Sequence, residues 1–185
     1  MSLPVFGLVL AAAMRFTPMP RRSFVIILMA GLPATGKSTI AHRVAEVLPG
    51  FVLDKDVVRT ALFAPPEIDY TMAQDDLCME VLRMAAHYVL QRDRSKNVLI
   101  DGRPFARAYQ IAPWHEEAAR LGVPLKVIEC VCTDETARAR LAHATASGDH
   151  PAKNRDYAMY LALKKSFEPI APPKLVLDTE RSMAE

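Results

Sequence analysis

The stretch at residues 31–38 constrains the fold of this chain more than any other. It reads GLPATGKS, which matches the phosphate-binding pattern G-x-x-x-x-G-K-[ST] at every fixed position. The continuous apolar run at residues 24–30 predicts a strand that is buried on both faces, as in a parallel sheet. Ile40, Val44 and Leu48 recur at four-residue spacing and predict a helix directly after the loop. Strand, glycine-containing loop and helix therefore follow one another in the order that phosphate binding requires.

The chemistry of this loop indicates a nucleoside triphosphate held with Mg²⁺. Gly31 and Gly36 allow backbone angles that a side chain would disfavour, so successive N–H groups can line an anion site at a helix N-terminus. Lys37 would add a positive charge at the β- and γ-phosphates, and the Ser38 hydroxyl would bind the metal. The predicted nucleotide-binding residues of the loop are Gly31, Leu32, Pro33, Ala34, Thr35, Gly36, Lys37, Ser38 and Thr39.

The length of the chain favours a single domain, and its low net charge argues against extensive binding of long nucleic acids. The chain has 185 residues and a formal net charge of only +2, and no long basic run stands out. Its three cysteines lack zinc-binding spacing with histidines and fit a reducing cytoplasm. The apolar run at residues 3–13 is too short to cross a membrane and lacks the basic region of a secretory signal. We expect residues 1–22 to be an extension of the domain at 23–185.

Alternating strands and helices predict an α/β domain with a mainly parallel sheet. Further strands are predicted at 51–53, 98–101, 125–132 and 175–178. A long helix is predicted at 71–94, with Leu77, Val81, Met84, Ala85 and Tyr88 as its buried stripe and Met72, Met79 and Met84 more suited to core than to binding. The next helix is expected to be interrupted or restarted at Pro113.

A second group of candidate residues, Asp54, Asp56 and Arg59, comes where the second predicted strand ends. Ligands of open parallel sheets bind at this edge. Phosphoryl transfer needs an acceptor in line with the γ-phosphate, and a carboxylate can accept its hydroxyl proton. Either Asp54 or Asp56 could do so, and Arg59 could hold an anionic substrate.

The third predicted strand also ends in an acid, Asp101. An acid at this position has the form of a Walker-B residue, which binds Mg²⁺ directly or through water. Arg103 and Arg107 follow on the same rim and could contact substrate.

A set of basic residues surrounds the glycine-containing loop at 146–154 and suggests a lid over about 138–155. Cationic side chains on a mobile flap can neutralise the charge of a transferring phosphoryl group. The set consists of Arg138, Arg140, His143, Lys153 and Arg155.

Over residues 23–180 the chain resembles the small P-loop kinases, a group often labelled AAA-family ATPases. This group is related to gluconate kinase, chloramphenicol phosphotransferase, zeta toxin and the kinase domain of polynucleotide kinase. The resemblance is carried, in order, by the loop at 31–39, DVVR at 56–59, VLIDG at 98–102, Arg140-Leu141, His150-Pro151, FEP at 167–169 and LDT at 177–179.

The resemblance implies a P-loop NTPase fold like that of adenylate kinase, with five strands in the order 2-3-1-4-5 and a small lid. It also implies that Asp56 is the general base, that Arg59 faces the substrate, and that Arg140 lies near the adenine. The chain departs from the group at Ala144, where a phosphate-binding arginine is common, so Arg155 or Arg138 would have to replace it. The site prediction is Lys37, Asp56, Arg140 and Arg155 as catalytic, Asp54, Asp56, Arg59 and Arg103 as substrate-binding, and Ser38 and Asp101 as metal-binding.

The leading hypothesis is an ATP-dependent kinase of a small-molecule hydroxyl, acting in the cytoplasm as a monomer or homodimer. A kinase of 5′-hydroxyl nucleic-acid ends is a variant that the low net charge disfavours. An oligomeric AAA+ ATPase is a third possibility, although no C-terminal helical domain or trans arginine can be identified. The last is a nucleotide-binding module without phosphoryl transfer. Nothing in residues 59–70 or 103–115, where the acceptor would bind, is diagnostic of its identity.

Overall fold

The computed structural model describes residues 24–147 and 156–180, which form one parallel sheet flanked by helices. The strands are β1 Ile26–Ala30, β2 Gly50–Asp54, β3 Asn97–Asp101, β4 Leu125–Val131 and β5 Leu175–Asp178. The helices are α1 Lys37–Val47, α2 Lys55–Leu62, α3 Met72–Arg92, α4 Ala108–Leu121, α5 Asp134–Ser147 and α6 Tyr157–Lys165, with a short 3₁₀ turn at Pro65–Glu67. The sheet order is β2-β3-β1-β4-β5 and every pairing is parallel, so the predicted fold and strand order are confirmed.

The central strand β1 divides the core into two layers. All five of its residues are buried, as the continuous apolar run predicts. Ile26 and Leu28 face a layer formed with α3 and α4, whereas Ile27 and Met29 face a layer formed with α1. This alternation follows from the two-residue period of a strand. Within the described ranges, no helix combines the length and apolar character needed to cross a membrane.

The predicted buried stripe of α3 is wrong. Leu77, Met84 and Tyr88 are 50%, 63% and 61% exposed, and Met72 is exposed as well. The side chains of α3 that are buried are Gln74, Cys78, Met79, Leu82, Ala86 and Leu90. Apolar residues occur all around this helix, so periodicity alone does not fix its rotation.

A buried carboxylate on α4 accounts for the rotation that α3 adopts. Glu117 is 1% exposed. It accepts a hydrogen bond from Arg83 at 2.9 Å and lies 2.6 Å from Nδ1 of His87, and both partners are on α3. Arg120, one turn further along α4, donates to the same carboxylate. Because a buried carboxylate must be paired, the face of α3 that carries Arg83 and His87 is held toward α4.

The predicted interruption at Pro113 is also wrong, because α4 runs without a break from Ala108 to Leu121. Pro113 lies in the second turn and forfeits one backbone bond, to the carbonyl of Tyr109. The start of the helix is held independently. Glu168 accepts a hydrogen bond from the Ala108 N–H at 2.8 Å, and the Gln110 side chain accepts one from the Arg107 N–H at 3.2 Å.

We expect Glu117→Gln to destabilise the fold by about 1–3 kcal/mol, because it removes the buried acceptor that Arg83, His87 and Arg120 share and leaves Arg120 without its counter-ion. Burial alone would raise the pKa of Glu117, but hydrogen bonds from Arg120 and His87 hold this pKa below its ordinary value of 4.5. A lowered pKa stabilises the folded state above pH 4.5 and ceases to do so as the carboxylate becomes protonated. The advantage of the wild type over the variant, measured by urea unfolding, should therefore shrink below about pH 4.5.

The matched control is Glu80→Gln, since Glu80 also pairs with Arg83 but its side chain is 48% exposed. That substitution should cost less than about 1 kcal/mol. Equal losses in the two variants would contradict the role assigned to Glu117.

Candidate active site

The phosphate loop depends on tight backbone geometry between β1 and α1. Gly31 has a φ of 122°, and a Cβ there would lie 2.2 Å from the carbonyl oxygen of Cys130 on β4. Gly36 has a φ of 83° and is the N-cap of α1. Ala34 also adopts a positive φ, 61°, which a side chain disfavours and which is typical of functional loops. The two fixed glycines of the motif are therefore required by the fold of the loop.

The motif lysine is folded into this loop. Lys37 is 6% exposed, and its Nζ donates to the carbonyl of Leu32 at 2.7 Å. Ser38 is half-buried and Thr39 is exposed. Buried Lys37 places a full positive charge beside the N-terminus of α1, and both favour an anionic ligand.

Asp101 ends β3 and is the most exceptional carboxylate of the site. It is 0% exposed, and neither of its oxygens has a hydrogen-bond partner in the described part of the chain. A buried and unpaired carboxylate is costly unless a cation neutralises it. Oxygen donors are the ligands that Mg²⁺ prefers, so Asp101 and the Ser38 hydroxyl fit this metal. No group of three or more His, Cys, Asp or Glu within the described ranges could hold a metal, and nucleotide phosphates would supply other ligands.

Asp54 and Asp56 take different positions, because the strand ends between them. Asp54 is the last residue of β2 and the N-cap of α2, where its carboxylate accepts hydrogen bonds from the N–H groups of Asp56 at 2.7 Å and Val57 at 3.4 Å. Burial and the nearby charge of Asp101 raise the pKa of Asp54. Asp56 lies in the first turn of α2 and is 2% exposed. Its carboxylate contacts Arg59 at 2.5 Å and Lys55 at 3.4 Å.

The carboxylate of Asp75 on α3, which is partly buried, completes a network of four charges with buried Lys55, Asp56 and Arg59. It accepts a hydrogen bond from Lys55 at 2.8 Å and another from Arg59. The Arg59 guanidinium also stacks on the Tyr70 ring, 5.0 Å from its centre. The sequence prediction missed Lys55 and Asp75. The helix dipole alone favours an acid in the first turn of a helix, so the position of Asp75 in the sequence did not indicate a functional role.

One cavity of about 450 Å³ connects these groups to the phosphate loop. Lys37, Asp56 and Arg59 line it, and so does Arg103, which is 3% exposed and contacts Asp76 at 2.6 Å. Asp54 is not among the lining residues. The rest of the lining is Pro33, Lys55, Tyr70, Met72, Asp75, Gly102, Pro104, Ala106, Arg107, Gln110, Met159, Ala162, Leu163 and Ser166.

Arg140 on α5 binds the outer side of the phosphate loop. Its guanidinium donates to the carbonyl of Ala34 at 3.2 Å and to the hydroxyl and carbonyl of Thr179 at 3.0 and 2.8 Å. The Thr179 hydroxyl in turn donates to the carbonyl of Thr35 at 2.9 Å. Arg140 thus ties the loop to the segment that follows β5. Its place beside the adenine remains a prediction.

The remaining lid residues are only partly within the described structure. Arg138 stacks on the Tyr157 ring with its guanidinium carbon 5.4 Å from the ring centre, and His143 is exposed on α5. Residues 148–155 lie outside the described residues. These include His150, Lys153 and Arg155, so the lid and the substitute for the arginine absent at Ala144 remain predictions. The extension at 1–22 is likewise outside them.

The sheet order, the phosphate loop after β1 and the acid after β3 together define a protein with the fold of small P-loop kinases. A family model described as AAA domain (AAA_33) matches residues 26–170, so the chain belongs to this family, as the resemblance predicts. No curated protein sequence matches the chain.

Three solved structures share the fold at low sequence identity. A candidate kinase from Chloroflexus aurantiacus has a TM-score of 0.67 at 20% identity, over 88% of this chain and 94% of that one. The APS kinase of Mycobacterium tuberculosis, in complex with AMPPNP and APS, has a TM-score of 0.61 at 21% identity, over 89% and 93%. A gluconokinase from Sinorhizobium meliloti has a TM-score of 0.61 at 15% identity, over 89% and 87%.

We expect Lys37→Ala to weaken Mg·ATP binding by at least about tenfold, because it removes a charge at the phosphates. The melting temperature without nucleotide should stay near that of the wild type, since the packing of α1 on the sheet is unchanged. Calorimetry and thermal melts measure the two quantities. Lys96→Ala is the control, because that side chain is 50% exposed. Unchanged ATP affinity in Lys37→Ala would contradict the phosphate-loop assignment.

We expect Asp101→Asn to separate metal binding from folding. Removing an unpaired buried charge should leave the nucleotide-free protein at least as stable as the wild type. The strengthening of ATP binding by Mg²⁺ should instead fall by about tenfold or more, because a charged metal ligand is lost. Titrations with and without Mg²⁺ test this. The control is Asp178→Asn, an exposed acid at the end of β5. A variant that keeps the full Mg²⁺ effect would exclude Asp101 as a ligand.

Proposed function

We propose that this protein is an ATP-dependent phosphotransferase that moves the γ-phosphate of Mg·ATP to a hydroxyl group of a small molecule. One observation carries the proposal: a single cavity is lined both by Lys37 of the phosphate loop and by the buried Asp56–Arg59 pair. A group that can hold a phosphate and a group that can accept a proton therefore face the same space.

In this proposal Asp56 is the general base. Its carboxylate accepts the proton of the acceptor hydroxyl as that oxygen bonds to the γ-phosphorus. The bond from this phosphorus to the bridging oxygen breaks, and the electron pair leaves with ADP. Lys55 and Arg59 hold the Asp56 carboxylate in place by ion pairs, and Asp54 caps the helix that positions it.

Positive charge stabilises the transferring phosphoryl group. Lys37 supplies it from the loop, and Mg²⁺, held by Ser38 and Asp101, would neutralise the phosphate oxygens when bound. Arg140 would add positive charge from the side of the site where the nucleotide binds. Arg155 is proposed to replace the arginine that is absent at Ala144.

The dimensions of the cavity favour a small acceptor over a nucleic-acid end. At about 450 Å³ it lies in the range of small-molecule sites. All three cysteines are free thiols, which supports a cytoplasmic enzyme.

The test begins with a phosphoryl-transfer screen against sugars, nucleosides, antibiotics and 5′-hydroxyl oligonucleotides. With the acceptor found, Asp56→Asn should bind Mg·ATP normally and lose about 100-fold or more in transfer, because it cannot take the proton. Arg59→Ala should also raise the KM of the acceptor, because it removes ground-state binding.

Asp54→Asn is the matched control, since asparagine caps a helix as well as aspartate does. It should remain active. If Asp54→Asn is inactive and Asp56→Asn is active, the base is Asp54. ATP hydrolysis that no acceptor stimulates would favour an ATPase instead, and phosphorylated oligonucleotides would favour a polynucleotide kinase.

A further inference from the structure

We infer that the phosphoryl acceptor carries an anionic group, a carboxylate or a phosphate, that binds Arg103, and an apolar portion that packs against α6. This inference rests on the proposed function and names the class of acceptor for the same cavity.

The charges of the cavity lining do not balance. Lys55 and Arg59 are matched by Asp56 and Asp75, which line the cavity with them. Two further arginines in the lining, Arg103 and Arg107, have their acidic partners outside it. The lining therefore presents two positive charges in excess of its acids, besides Lys37, which the nucleotide would engage.

A ligand anion could replace Asp76 as the ion-pair partner of Arg103. Its side chain is 4% exposed, whereas the side chain of its partner Asp76 is 48% exposed. A buried guanidinium requires an anion. Asp76 can turn into solvent at little cost, and a ligand carboxylate or phosphate can take its place with two parallel hydrogen bonds.

Arg107 belongs to the same rim but contributes less to this inference. Its side chain is 39% exposed and pairs with Glu168, which is 47% exposed. Arg59 also lines the cavity, but both of its acidic partners, Asp56 and Asp75, line it as well, so Arg103 remains the stronger candidate for binding a ligand anion.

The apolar part of the cavity lining bears on the remaining part of the acceptor. Met159, Ala162 and Leu163 of α6 belong to it, and so does Met72 of α3. These side chains offer no strong hydrogen bonds, so they favour an apolar body. The acceptor class is a small alcohol with an acidic group and an apolar portion.

The experiment uses the full chain saturated with Mg·AMPPNP, so that the phosphate loop is occupied and cannot bind the probes. Two matched pairs are titrated: 3-phenyllactate against 3-phenylpropane-1,2-diol, and 2-hydroxy-3-phenoxypropyl phosphate against 3-phenoxypropane-1,2-diol. At least one acidic probe should bind about tenfold more tightly than its neutral match. The pair that shows this preference distinguishes a carboxylate from a phosphate.

Two variants of one ion pair should shift anion binding in opposite directions. Arg103→Met should abolish the preference, and Arg103→Lys should restore part of it because it returns the charge. Asp76→Asn should strengthen the preference about two- to fivefold, because it removes the internal competitor. Arg43→Met, on α1 with a side chain 57% exposed, is the control and should change nothing.

Absence of a preference in both pairs would overturn the inference, and so would its persistence in Arg103→Met. If Arg103→Met does not fold, Asp76→Asn decides, and unchanged or weakened anion binding in it counts against the inference. A wild type that does not bind Mg·AMPPNP would overturn the proposed function itself. Binding of AMPPNP without any anion preference overturns only the inference about the acceptor.

Discussion

The hydrogen bonding of β1 between β3 and β4 is the constraint on which the site depends. Parallel strands end at the same edge of a sheet, and here Leu28 pairs with Ile100 and Asp54 pairs with Asp101. The phosphate loop leaves β1 at this edge, so it begins beside the two acids. On the other side, the carbonyl of Cys130 on β4 lies so near Gly31 that no side chain could replace that glycine without a shift of the backbone. Strand pairing thus fixes the position of the loop and requires glycine as its first residue.

Departures from ordinary packing concentrate around this edge. Asp101 is buried without a hydrogen-bond partner in the described structure, Ala34 adopts a positive φ, and Lys55, Asp56 and Arg59 are charged residues at most 5% exposed. Each of these features costs stability, and none is needed to close the hydrophobic core. Features of this kind accumulate where a protein binds or reacts, which is why one rim of the sheet stands out as the site. Glu117 is a buried charge of a different kind, because its ion pairs join α4 to α3 and account for the packing of these two helices.

Local pattern predicted those parts of the molecule that depend on local chemistry. The continuous apolar run, the fixed glycines and the apolar spacing after them were sufficient to predict β1, the loop and α1. The acids at strand ends were sufficient to place Asp54 and Asp101 at the same edge of the sheet. Contacts that depend on how α3 is rotated could not be predicted. Asp75 meets Lys55 and Arg59 across 20 and 16 residues of chain, and the rotation that allows this also exposes Leu77, Met84 and Tyr88. A helix with apolar residues on every face leaves that choice to its tertiary partners.

The helix pair α5–α6 joins the two halves of the proposed reaction. Arg140 on α5 binds the phosphate loop, while Met159 and Leu163 on α6 line the cavity that is proposed to hold the acceptor. The two helices are fastened together, because Tyr160 on α6 donates a hydrogen bond to Asp134 on α5 at 2.8 Å and Lys164 pairs with the same carboxylate at 2.5 Å. A displacement of this pair would therefore move the nucleotide rim and the acceptor wall together. Under the proposed function, a nucleotide site and an acceptor site that share this packed element could bias each other's occupancy.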